Sequence, residues 1–134
     1  MKCITLHQPW ASWIAMGSKS IETRTHNRLR SLVGQRIAIH AGLTWDKTAV
    51  WKTAWDYITP EEANAACGEF KEIKGAVVCT AMVIGHRKLT AEDSRAALID
   101  CGSTERWGLL LDNIERLETP APAKGKQGIW EWTP

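Results

Sequence analysis

Tyrosine and phenylalanine are nearly missing from this 134-residue sequence, with one of each, and there are only five prolines. No stretch approaches the roughly 18 apolar residues needed for a membrane-spanning helix, so no membrane partner is expected. The opening Met1-Lys2-Cys3-Ile4-Thr5-Leu6 is too short and too soon interrupted for a signal peptide. The four cysteines, Cys3, Cys67, Cys79 and Cys101, are widely spaced and contain no C-x-x-C pair. That spacing argues against a disulfide framework or a zinc site and for a reducing, cytoplasmic setting, with no metal and no cofactor. Repeats, low-complexity segments and linkers are also missing, so the length reads as one domain, residues 1–134, with a single core. A monomer is expected.

Tryptophan is abundant instead, with eight residues. Its wide flat face suits both core packing and base stacking. Trp51 and Trp55 recur at helical spacing and read as core, and Trp130 and Trp132 share one face of the last strand. Trp10 stays open between packing and stacking. The net charge of +2 argues little, but its distribution is uneven. Residues 1–45 hold six Lys/Arg against one acid, whereas residues 46–134 hold eleven against fourteen. Such a basic N-terminal third fits an anionic partner.

Within that third lies the segment on which the functional reading turns, Gly17-Ser18-Lys19-Ser20-Ile21-Glu22-Thr23-Arg24. A short helix precedes it, with Pro9 in the first turn and Gly17 just past the end. After Gly17 the pattern alternates as in a strand, which puts Ser20, Glu22 and Arg24 on one face. Lys19 points to the other face unless the Gly17 turn redirects it. Three charges thus gather at a helix-to-strand turn, followed by Arg28, Arg30 and Arg36 with no acid before Asp46. A solvated turn with a surface ion pair is the plain alternative. Chemically, a lysine acts as nucleophile or base only when uncharged, and Glu22 would favour its ammonium form. A charged Lys19 would bind phosphate or polarise a carbonyl. Arg24 is a planar fork suited to phosphate or a guanine edge. The cluster therefore favours anion or nucleotide binding over catalysis. His40, at a strand end, would first hydrogen-bond backbone, next contact a ligand, and last bind metal.

His7-Gln8-Pro9-Trp10-Ala11-Ser12, then Gly17-x-Lys19-x-x-Glu22-x-Arg24, then Ile37-Ala38-Ile39-His40-Ala41, and finally Gly125-Lys126-Gln127-Gly128-Ile129-Trp130, occur in order along the chain. Together they resemble the activating-signal-cointegrator homology (ASCH) family, of the PUA-like superfamily of small RNA-associated β-barrels. The resemblance implies an α+β fold, a PUA-like small β-barrel with helices packed on its outside. It also implies a module that recognises RNA, single-stranded DNA or a nucleotide-like ligand. Gln8, Trp10, Gly17, Lys19, Glu22, Arg24, Arg28, Arg30, His40 and Lys126 would form the binding surface. Two alternatives stay open: a hydrolase on the same cleft, with Lys19 and Glu22 catalytic, and a protein-interaction module without nucleic acid. Family members that resemble amidohydrolases of acetylated cytidine carry a Thr where Glu22 stands here, and others act as ribonucleases. Without that Thr the deacetylase assignment does not carry over.

The remaining elements follow from periodicity. Strands are expected at Lys2–Leu6, at Gln35–Ala41 before a Gly42 turn, at Gly75–Leu89, which is apolar on both faces, and at Gln127–Thr133. Arg106–Leu117 reads as one or two strands broken near Asp112-Asn113. Residues 25–34 read as a loop and residues 119–126 as extended chain. Helices are expected over Trp45–Ile58, from Pro60 to about Cys67, and over Thr90–Cys101.

Overall fold

A computed structural model of the chain describes residues 1–48 and 54–134. Its framework is one six-stranded curled sheet with three short helices packed outside. The strands are β1 (Lys2–Gln8), β2 (Ile21–Arg24), β3 (Arg36–Trp45), β4 (Ala76–Lys88), β5 (Trp107–Pro122) and β6 (Ile129–Glu131). Their order across the sheet is β2-β5-β4-β3-β1-β6. β1 pairs with β3 in parallel, and the other pairings are antiparallel. The α-helices among the described residues are α1 (Trp10–Ala15), α2 (Pro60–Cys67) and α3 (Ser94–Ala97). No helix among the described residues is long and apolar enough to cross a membrane.

The main core forms where one sheet face meets α1. Ile4, Leu6, Ile37, Ile39, Val83, Leu109 and Leu111 pack there with Ile14. β3 alternates between two faces: Ile37 and Ile39 enter the main core, and Ala38 faces a second cluster with Cys3, Val77, Trp130 and Trp132. Cys3 and Cys79 are buried, as their apolar strands require. Trp13 anchors a third cluster with Phe70 and Leu98, its indole N–H donating to the Glu62 carbonyl.

Four expectations are corrected. β3 does not stop at Gly42 but runs on to Trp45. Glycine is needed there for close approach, since a Cβ would sit 3.0 Å from the Thr5 methyl. The helix expected over Trp45–Ile58 is not formed at either described end: Trp45 ends β3, Asp46 Oδ1 accepts from Thr48 in a tight turn, and residues 54–57 form another turn. Trp51 lies outside the described residues, and Trp55 is 56% exposed rather than in the core. β5 is one long strand, carrying Asn113 at φ 46° and absorbing the polar pair by register shifts against β4. The helix expected over Thr90–Cys101 has its capping box, Thr90 with Asp93, but its α-helical part ends at Ala97 because Leu98 turns left-handed.

Candidate functional site

The signature segment begins with a helix stop. At Gly17 φ is +87°, a conformation costly for other residues. The amides of Gly17 and Ser18 donate to the carbonyls of Ile14 and Trp13, the two bonds of a Schellman motif. Lys19 N also donates to Trp13 O, which turns the chain inward. At the other end of α1, Gln8 Oε1 accepts from Ser12 N, while its amide donates to Ser12 Oγ and Ile73 O. Gln8 is thus a buried helix cap that also lines a smaller surface depression with Phe70 and Lys74.

Lys19 is redirected by the turn and ends up 1% exposed. Its Nζ donates to Ala97 O at the end of α3 (2.5 Å), lies 3.8 Å from Glu22 Oε1, and sits 4.8 Å over the Trp10 ring. Burial pushes its pKa down to about 8, with Glu22 pulling the other way. Trp10 itself packs edge-on against Trp13 and donates its indole N–H to Asp46, so much of its surface is already engaged. The other Glu22 oxygen is 3.5 Å from Arg24 Nη2. The carboxylate therefore joins the buried ammonium to an arginine that reaches the surface.

Arg24 lines a cleft of about 1080 Å³. One wall comes from the end of β2 and the loop after it: Arg24, His26, Arg28 and Leu29. The other comes from the β5–β6 connection, Ala123 to Gly128, with Thr5 and His40 on the sheet between them. The described lining holds four Lys/Arg (Arg24, Arg28, Lys124, Lys126), three histidines (His7, His26, His40) and no Asp or Glu. His26 is held below its ordinary pKa by burial and by the charges of Arg28 and Arg24.

His40 is fixed by both ring nitrogens. Nε2 lies 2.7 Å from Ala123 O, a pure acceptor, so this nitrogen carries the proton. Nδ1 then accepts from Thr5 Oγ1 (3.2 Å), which in turn accepts from the Trp130 indole (3.0 Å). The backbone bond is the role that the sequence reading ranks first. The chain Trp130–Thr5–His40–Ala123 ties β6, β1 and β3 to the loop that forms the far wall.

Of the ten residues expected at a binding surface, Arg24, Arg28, His40 and Lys126 line this cleft. Gln8, Trp10, Gly17, Lys19 and Glu22 are not in its lining: Gln8 ends β1, Trp10 begins α1, Gly17 and Lys19 lie in the turn after α1, and Glu22 lies within β2. Arg30 begins a short 3-10 turn outside the lining. The sequence reading missed Thr5, His7, His26 and Lys124. Only Lys124 carried a signal, as a second lysine two residues before Lys126.

No family model matches the sequence. Among solved structures, the chain is similar to an ASCH protein of Zymomonas mobilis, with a TM-score of 0.61 and 14% identity over 98% of this chain and 87% of that one. Two single-substitution variants of that protein give TM-scores of 0.59 and 0.58, each at 15% identity over 98% of this chain and over 89% and 87% of theirs. The curled sheet with its outer helices thus has the fold of that ASCH protein, an α+β architecture.

Proposed function

We propose that this protein binds single-stranded nucleic acid, RNA or DNA, in the cleft between the β2 loop and the β5–β6 connection. The observation that carries the reading is the composition of the wall: four permanent cations, three histidines and no carboxylate among the described lining residues. Such a wall attracts a polyanion and releases its counterions on binding. Leu29, Leu43 and Ile129 add apolar surface on which a base or sugar can rest. Behind the wall, Lys19 and Glu22 hold Arg24 rather than meeting the ligand themselves.

The hydrolase alternative rests on one feature, the lysine lowered to about 8. An amine near that value is partly neutral at neutral pH and can act as a base. Its burial and its bond to Ala97 O keep it off the cleft wall, so binding is the better-supported reading.

The test is fluorescence anisotropy of a labelled oligouridylate and a labelled oligothymidylate between 50 and 300 mM salt, near-physiological concentrations that bracket strong screening. With three or four phosphates neutralised, log affinity should fall with log salt at a slope of roughly −2 to −3, about −0.7 per phosphate. A salt-independent affinity, or none for either strand, would remove the nucleic-acid reading and favour a protein partner. Acetylated cytidine incubated with the protein and with Lys19→Ala, followed by chromatography, addresses hydrolysis. Turnover lost in the variant would reinstate Lys19 as catalytic.

A further inference from the structure

The strand register carries the cleft one step further. Arg24 on β2 lies opposite Trp107 on β5, and Trp107 lies opposite Lys88 on β4. Directly paired residues share a sheet face, so these three side chains form a row across three strands. In the next row, Glu22 and His86 flank Leu109, which belongs to the main core. The row of Arg24, Trp107 and Lys88 is therefore the margin at which the core face opens to solvent.

Trp107 is half-buried there. The His86 ring lies parallel to it, with centroids 5.3 Å apart and planes at 13°. Lys88 Nζ is 5.5 Å over the indole and 3.2 Å from Glu105. Two buried side-chain nitrogens among the described residues have no hydrogen-bond partner, Arg24 Nε and His86 Nδ1. Both belong to this margin. Buried polar atoms are rarely left unsatisfied in native proteins. Burial and the nearby charges of Arg30 and His26 hold His86 toward its neutral form, which suits a stacking ring.

We propose that the His86–Trp107 stack is an additional base-binding subsite, which takes a further nucleotide of a longer strand, beyond the two that the cleft at Arg24 holds. The proposal rests on the cleft being a nucleic-acid site. A base would extend the existing stack, with its phosphate near Arg24 and Arg30. Aromatic rings accept any base by stacking, so the subsite would add affinity and length dependence without sequence preference.

The test compares a uridine dinucleotide with an octauridylate, both labelled, on wild type, Trp107→Ala and His86→Ala. In Trp107→Ala, octamer affinity should fall by about 5- to 150-fold, the range that base–aromatic stacking spans. Dinucleotide affinity should stay within a factor of about two. A scan of single abasic positions along the octamer supplies a double-mutant cycle. One position should lower wild-type affinity, and that loss should vanish in Trp107→Ala. Should Trp107→Ala lose its native circular dichroism, His86→Ala carries the same comparison from the other ring. Unchanged octamer affinity in the folded variants overturns the subsite, as does an equal loss for both oligomers or an abasic loss that persists. A wild type that binds neither oligomer removes the cleft reading itself, and the subsite with it. Wild-type octamer binding that ignores the stack removes the subsite alone.

Discussion

Lys19 should make this protein more stable as the solution becomes alkaline. The folded chain buries the Lys19 amine, and burial lowers its pKa from an ordinary 10.5 to about 8. Glu22 at 3.8 Å opposes that change without cancelling it. Below pH 8 both folded and unfolded chains hold the proton, and the folded state bears the full cost of a buried ammonium. Between about 8 and 10.5 the folded chain has lost a proton that the unfolded chain retains, so stability rises with pH. The slope is about 1.4 kcal/mol per pH unit, giving about 1 kcal/mol by pH 9 and about 3 kcal/mol by pH 10.5. Lys19→Met keeps an unbranched side chain and removes the titration. Cys3 and Cys79 work in the opposite direction, because burial pushes both thiols up to about 12 and their contribution declines above the ordinary 9.0. That decline is common to wild type and variant and cancels in their difference. Urea unfolding followed by tryptophan fluorescence, at half-unit steps from pH 7 to 9.5, measures it. The wild type should gain on Lys19→Met by about 1–2 kcal/mol across that range. Parallel curves would mean that Lys19 titrates at its ordinary value and that its burial carries no such cost.

Arg28→Ala should lower the magnitude of the salt slope for oligouridylate by about 0.7 and weaken unrelated sequences alike, because Arg28 lines the cleft. Arg30→Ala should leave dinucleotide binding unchanged, because Arg30 lies outside that lining; equal effects of the two on the dinucleotide would contradict the geometry. Gly125→Ala should destabilise the fold by about 1–3 kcal/mol, read as a lower urea midpoint. Its Cβ would fall 2.6 Å from His40 Cε1 and 2.9 Å from Thr5 Oγ1, where the ring is tied on both sides. An unchanged midpoint would show that the far wall yields freely.

Local signals were the legible ones. Gly17 after an apolar run marks a helix stop, and the Schellman bonds are its physical content. Ala76 to Ile84 is apolar on nearly every position, and it forms the first part of β4, which lies between β5 and β3. What failed depended on partners far away in the chain. Gly42 looks like a turn residue because its tight contact, the Thr5 methyl, is 37 positions earlier. Ala96, Ala97, Leu98 and Ile99 continue an apolar run, but the chain leaves the helix at Leu98, and Ser94 captures the Cys101 amide instead. Nothing near Lys19 in the sequence announces its burial, since its acceptor, Ala97 O, is 78 residues distant. Likewise His26 and Lys124 become neighbours of one cleft only through the order of strands between them.

This separation also bears on the proposed binding, in which a charged segment would serve a surface that most of its residues do not touch. Lys19 bonds the end of α3, Glu22 bridges Lys19 to Arg24, and Arg24 opens onto the cleft. An isolated surface arginine would lose several rotatable bonds of freedom when it meets a phosphate. Arg24 is already oriented by a carboxylate that is itself held from below, so that cost falls on folding rather than on binding. The arrangement has a stability penalty, visible in the lowered Lys19, of the kind proteins retain where a site needs a fixed side chain. Removing Glu22 would leave the buried ammonium without its nearest countercharge and Arg24 without its tether, so one substitution should strike both fold and affinity. The signature is best understood as a bracket, and the cleft beside it as what the bracket holds in place.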